Sequence, residues 1–100
     1  MKALIRDTNG IWIDKEASKV SYPDDGNVDC FSVEENSFWF NHRNDILKEA
    51  ITRFPFQGNF ADLGGGNGYQ AKFISSNFPL AKVFLVEPGY QGCLNGIKRG

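Results

Sequence analysis

Hydrophobic residues fall into short runs separated by turn residues throughout the second half of the chain. The runs GNFADL at 58–63 and AKVFLVE at 81–87 each have the length of a β-strand. Between them, YQAKFISSNF at 69–78 repeats apolar residues at helical spacing, and a weaker helical pattern follows over 88–100. This order predicts an α/β fold: a βαβ unit with two parallel strands and helices on both faces of the sheet.

The N-terminal third combines a hairpin pattern with a polar stretch. Apolar runs at 3–7 and 11–14 flank Thr8-Asn9-Gly10, and Asn-Gly between two such runs predicts a β-hairpin. The stretch that follows is polar and has no periodicity, and its segment YPDDG at 22–26 has the chemistry of a turn. We therefore expect residues 1–35 to form an N-terminal hairpin and loop extension.

A further helix is predicted before the βαβ region. Asn36 or Ser37 is a suitable N-cap, since short polar side chains accept hydrogen bonds from the first helical turn. Apolar residues then recur at helical spacing over 38–54, and Pro55 disfavours helix at the residue before it. The predicted core residues of this helix are Phe38, Trp39, Phe40, Ile46, Leu47, Ala50, Ile51 and Phe54.

Composition and charge argue against several classes of function. The 100 residues carry 11 basic and 12 acidic side chains and no basic stripe, so a nucleic-acid partner is not indicated. No apolar run approaches the length of a transmembrane helix, and the first residues do not have the pattern of a secretory signal. Cys30 and Cys93 are isolated and His42 is the single histidine, so we expect reduced cysteines, no metal site and a cytoplasmic protein.

Four glycines within five positions follow the first strand of the βαβ unit. Gly64, Gly65, Gly66 and Gly68 lie at the strand-to-helix turn, where open α/β folds bind ligands. Glycine permits a close approach of the backbone, and the helix N-terminus supplies unpaired N–H groups. Glu87 ends the next strand 21 residues after Gly66, where a carboxylate can accept hydrogen bonds from both hydroxyls of a ribose. Loop and acid together suggest a ligand that contains adenosine.

Two classes of adenosine ligand compete for this loop, a dinucleotide and S-adenosylmethionine. Gly66, Gly68 and Ala71 match the G-x-G-x-x-A pattern of dinucleotide domains, which is a weak signal alone. Asp62, two residues before the first glycine, is unfavourable beside a pyrophosphate and suits the cationic amino-acid end of S-adenosylmethionine. In addition, nearly 60 residues precede this strand, whereas dinucleotide domains often begin with it.

Three segments resemble class I S-adenosylmethionine-dependent methyltransferases. DLGGGNG at 62–68 resembles motif I of that family, and VFLVEP at 83–88 resembles the acidic motif that follows it. ENSFWFNHRNDIL at 35–47 looks like the segment before motif I in some bacterial members. The resemblance implies that residues 36–100 are the N-terminal, cofactor-binding half of a methyltransferase domain with a Rossmann-like βαβ unit. Since that family fold is longer, we expect the 100-residue unit to be incomplete.

The resemblance also implies the cofactor, S-adenosylmethionine, and a role for the matching residues. The glycines would form the loop beneath the cofactor, Asp62 would face its amino-acid end, Glu87 would hold the ribose, and Pro88 with Gly89 would border the adenine. Arg43 would reach the cofactor carboxylate or the substrate. The implied cofactor-binding residues are Asp62, Gly64, Gly65, Gly66, Gly68, Glu87 and Pro88.

The expected activity is methyl transfer to an unknown acceptor, with a small molecule favoured. The sequence identifies no catalytic residue, and open sheet edges would allow self-association. The alternatives are a non-catalytic nucleotide-binding module and, with less support, an NAD-dependent oxidoreductase.

Overall fold

Two small sheets and several helices form the computed structural model of the chain, which describes residues 3–16, 24–55 and 57–100. The elements are β1 (Ile5–Arg6), β2 (Trp12–Ile13), α1 (Asp24–Val33), a 3₁₀ helix (Glu34–Asn36), α2 (Phe38–Arg53), β3 (Gly58–Leu63), α3 (Tyr69–Asn77), β4 (Ala81–Val86) and α4 (Tyr90–Arg99). β1 and β2 pair antiparallel, and β3 and β4 pair parallel. The protein is therefore α/β, with a small parallel sheet.

The predicted hairpin is confirmed, although each strand has only two residues. Asp7 organises its turn, because Oδ1 accepts hydrogen bonds from the backbone N–H groups of Asn9 and Ile11, both at 2.9 Å. Gly10 completes the turn at a φ of +85°, in the left-handed region that glycine enters without strain. Local side-chain chemistry thus defines this hairpin.

Helix α1 occupies a stretch that the sequence predicted as loop. Asp24, Asp25 and Gly26, expected to be turn residues, are its first three residues, and the rest of that predicted turn lies outside the described residues. The segment DDGNVDCFSV has too few apolar residues to show a helical period. Helix α1 packs against α4, and this tertiary contact stabilises a helix that its own sequence does not favour.

Helix α2 begins where the sequence predicted. Ser37 is its N-cap, with Oγ accepting a hydrogen bond of 3.4 Å from the backbone N–H of Phe40. The helix ends at Arg53, and Phe54 and Pro55 follow. Both boundaries follow from capping and proline chemistry.

The packed face of α2 differs from the predicted one. Trp39 is 68% exposed, Phe38 and Phe54 are also exposed, and the buried residue of the helix is Asn44. The helix packs on α3 and on the 3₁₀ helix, so the face that carries Asn44 is turned inward. The prediction that the Phe-Trp-Phe run lies in the core is wrong for its first two residues, because an apolar stripe does not specify its neighbours.

The two strands of the larger sheet are parallel as predicted, but their burial differs from the prediction. The pairs of this sheet run from Gly58 opposite Ala81 to Leu63 opposite Val86. One face carries Asp62 opposite Leu85 and packs beneath α3 and α4. On the other face Leu63 is 75% exposed, and its partner Val86 is exposed as well. Helices on both faces of the sheet, and a β4 covered on both faces, are therefore predictions that the described part of the chain contradicts.

Helix α3 supplies the most buried apolar side chains of the domain, Ala71 and Ile74. Its predicted position between the two parallel strands is confirmed. None of the described helices combines the length and the apolar character needed to span a membrane.

Candidate functional site

The ends of β3 and β4 open into a cleft of about 470 Å³, a size typical of small-molecule sites. The turn after β3, residues 64–68, is called the glycine loop below. The predicted site residues that line the cleft are Asp62, Gly64, Gly65, Gly66 and Glu87. The lining also includes Arg43 of α2 and, from the segment predicted as loop, Cys30 and Glu34. The βαβ topology thus brings most of the predicted residues together.

Asp62 is the buried carboxylate of the cleft, with 7% of the residue exposed. Its Oδ1 accepts a hydrogen bond of 3.3 Å from Nε2 of Gln70, and its Oδ2 has no hydrogen-bond partner in the described part of the protein. Burial raises the pKa of Asp62, the positive charge of Arg43 opposes that rise, and the negative charge of Glu87 adds to it. A buried acceptor without a donor is unfavourable in the free protein.

Arg43 presents the complementary charge. Its guanidinium carbon lies 4.9 Å from the centre of the Phe40 ring, and its Nε is buried without a hydrogen-bond partner among the residues described. The cleft therefore contains one acidic and one basic side chain that each retain an unsatisfied polar atom. A ligand with both a cationic and an anionic group could satisfy both of them.

The glycine loop needs glycine for two different reasons. Gly64 and Gly66 have φ values of +69° and +58°, and a Cβ on either would meet no atom within 4 Å, so the loop is open on that side. Gly68 is buried, and a Cβ there would lie 2.9 Å from the Cα of Gly96. Gly68 does not line the cleft, and it allows α4 to lie against the back of the loop.

Glu87 joins the two strand ends. Its Oε2 accepts a hydrogen bond of 2.7 Å from the N–H of Gly66, and its Oε1 accepts one of 2.9 Å from the N–H of Gly89. Since an ionised carboxylate has about four acceptor positions, about two remain for a ligand. Pro88 is exposed and is not among the residues that line the cleft.

Two glycines of α4, Gly92 and Gly96, lie against the glycine loop. Glycine weakens a helix, and the close approach of the loop is the reason for it here. A Cβ on Gly92 would lie 2.6 Å from the carbonyl oxygen of Gly66 and 2.9 Å from Cγ of Glu87. Their spacing of four residues, which places both on one helix face, is the signal that could have predicted this contact.

Within the described ranges, no group of three or more His, Cys, Asp or Glu side chains is arranged to hold a metal ion. Comparisons with family models, with curated proteins and with solved structures gave no match. The function must therefore be argued from the cleft itself.

Proposed function

We propose that the chain binds S-adenosylmethionine in this cleft and provides the cofactor-binding part of a class I methyltransferase with a Rossmann-like fold. The observation that supports this most is Asp62, a buried carboxylate with an unsatisfied oxygen. It lies at the end of β3, beside the glycine loop and one strand from Glu87. Because an unpaired buried charge is costly, a cationic group of the ligand would stabilise this position.

The amino-acid end of the ligand fits the two unsatisfied groups. Its ammonium group would donate to Oδ2 of Asp62, and its carboxylate would accept from Nε of Arg43. Hydrogen bonds between ionised partners are about twice as strong as neutral ones. Asp62 and Arg43 would therefore recognise a zwitterion, and neither alone would do so.

The adenosine end fits the strand ends. Glu87 would use its remaining acceptor positions for the ribose hydroxyls, while its bond to Gly66 keeps the carboxylate at the loop. Pro88 would border the adenine on the exposed side. When bound, the cofactor supplies a methyl group already activated on a sulfonium, so the residues of the chain bind and orient it. We place no catalytic base, and the proposed acceptor is a small molecule.

A dinucleotide fits the same cleft less well. Its pyrophosphate would lie against the glycine loop, where Oδ2 of Asp62 is only 2.6 Å from the position of a Cβ on Gly65. Two carboxylates and one guanidinium line this part of the cleft, so its charge favours a cationic ligand. The non-catalytic module would share the binding site and differ only in the absence of methyl transfer.

Calorimetry with truncated ligands tests the proposal. The wild-type chain should bind S-adenosylhomocysteine and, more weakly, 5′-methylthioadenosine, which lacks the amino-acid end. Glu87→Gln should lower the affinity for both ligands by roughly tenfold to a hundredfold, since hydrogen bonds to a charged group contribute roughly 1.5–3 kcal/mol and the substitution removes that charge. Arg43→Met should lower the affinity for S-adenosylhomocysteine only, because 5′-methylthioadenosine lacks the carboxylate that Arg43 would bind. Glu49→Gln, at an exposed pair far along α2, is the matched control and should change neither.

Two results would contradict the proposal. Binding of NAD without binding of S-adenosylhomocysteine would favour the oxidoreductase. Equal affinity of wild type for the two adenosine ligands would mean that the two charged groups do not recognise a zwitterion. Incubation with labelled S-adenosylmethionine and a small-molecule panel would then separate an enzyme from a binding module.

A further inference from the structure

A buried polar network surrounds Asn67, the residue of the glycine loop that is not a glycine. Asn67 is 1% exposed, and three of its polar atoms are held. Its Nδ2 donates to Oε1 of Glu34 at 3.1 Å. Its Oδ1 accepts from Nδ2 of Asn95 at 3.0 Å, and its carbonyl oxygen accepts from Nε of Arg99 at 3.1 Å. We call these four residues the polar network.

Arg99 is the residue that connects the network. Its side chain is 5% exposed, and its Nη2 lies 2.5 Å from Oε2 of Glu34, itself 7% exposed. The guanidinium lies between two aromatic rings, with its carbon 4.4 Å from the centre of Phe31 and 5.0 Å from that of Tyr69. A planar group with a fixed fork of donors suits this position, and a lysine ammonium would not make the same set of contacts.

The loop that the network holds has little local support of its own. Asn67 lies between Gly66 and Gly68, which both have positive φ, and glycine has the largest backbone entropy to lose. Contacts from α4 and from the 3₁₀ helix are therefore needed to select one loop conformation. Glu34 also lines the cleft, so its ion pair with Arg99 fixes one of the lining residues as well as the loop.

We propose that Arg99 and Glu34 are positioning residues: they fix the glycine loop in its binding conformation through Asn67. This inference rests on the proposed function, because it concerns how that site is prepared for its ligand. If the loop samples other conformations, the apparent affinity falls in proportion to the competent fraction. Substitution of Arg99 or Asn95 should thus lower the affinity for the ligand, although neither residue lines the cleft.

The test uses Arg99→Lys, which retains the charge beside Glu34 and loses the hydrogen bond that Nε of Arg99 donates to the carbonyl of Asn67. We expect about tenfold or greater weakening of S-adenosylhomocysteine in calorimetry at a temperature where the variant is folded. Amide hydrogen exchange in the free protein should accelerate at Gly66 and Gly68, whose N–H groups are hydrogen-bonded, more than in β4. Arg53→Lys, in an exposed pair with Glu49, is the matched control and should change neither readout.

Asn95→Ala is the second variant, in case Arg99→Lys does not fold. It removes one donor to Asn67 and leaves the ion pair intact, so a smaller change in both readouts is expected. A lower melting temperature with wild-type affinity and wild-type exchange at the loop would overturn the inference. If the wild-type chain itself does not bind S-adenosylhomocysteine, the proposed function fails, and the exchange at the loop alone decides whether Arg99 holds it.

Discussion

A methyl group added at Gly92 should disturb the contact between α4 and the glycine loop, and its effects on stability and on ligand affinity can be measured separately. In Gly92→Ala the new Cβ would lie 2.6 Å from the carbonyl oxygen of Gly66 and 2.9 Å from Cγ of Glu87. Ordinary contact begins near 3.4 Å, so α4 and the loop must separate by about 0.8 Å. A backbone carbonyl cannot rotate away as a side chain can, and the strain must therefore move the loop.

The expected magnitude follows from two opposing effects. Overpacking of this kind costs about 1–3 kcal/mol, and the higher helix propensity of alanine offsets about 0.8–1 kcal/mol. The net destabilisation is about 1 kcal/mol, or a fall of about 4–8 °C in melting temperature for a domain of this size. Cγ of Glu87 must also move by about 0.5 Å to reach ordinary contact, which disturbs the 2.7 Å hydrogen bond that its Oε2 accepts from the N–H of Gly66.

Gly96→Ala is the control within the same helix. Its Cβ would meet Cδ2 of Leu85 at 2.5 Å, the mobile end of a side chain, and the nearest loop atoms lie at 3.9 Å. Thermal unfolding should place Gly96→Ala within about 1 kcal/mol of wild type, and calorimetry should find its ligand affinity unchanged. Equal stability and equal affinity of Gly92→Ala and wild type would refute the argument that α4 approaches the loop this closely.

Three further predictions concern single polar groups. Because burial raises the pKa of Asp62, its ionised form opposes folding, so Asp62→Asn should raise the melting temperature at neutral pH and abolish binding of S-adenosylhomocysteine. That stability difference should shrink as pH falls through the raised pKa. Tyr90 donates to Asp7 and lowers the pKa of that carboxyl, so Tyr90→Phe should lower the melting temperature at neutral pH and converge with wild type in acid. Ser37→Ala should cost about 1 kcal/mol by loss of the N-cap, measured by urea unfolding.

The elements of the second half of the chain could be predicted because their signals are local. β3 matches its predicted span, β4 and α3 each end one residue early, and the glycines fall between strand and helix as expected. Chain order then fixes where the strand ends meet, and for this reason the sequence alone assigns Asp62 and Glu87 to one site. The ligand roles of these residues stay predictions.

Features that depend on partners in space could not be predicted in the same way. Helix α1 has almost no helical period. It packs on α4, where the side chain of Arg99 donates a hydrogen bond to the carbonyl oxygen of Phe31, a residue 68 positions earlier in the chain. Gly92 carries no signal in itself, since the reason for the missing side chain is an atom of Gly66. Nothing in the sequence distinguishes Asn67 from other loop residues, because its role follows from the buried partners that the fold brings to it.

The proposed site gathers several locally unfavourable features, and this distribution is itself an argument for function. Asp62 keeps an unsatisfied oxygen, Arg43 an unsatisfied nitrogen, and the glycine loop a left-handed backbone, all within one cleft. Each would be removed by a single substitution if stability alone were at stake, whereas the polar network, two of whose residues line the cleft, offsets them. Local conflicts of this kind are expected where binding a ligand completes the interactions. A ligand that carries an ammonium and a carboxylate on one carbon atom would complete both open contacts at once, which a pyrophosphate could not do.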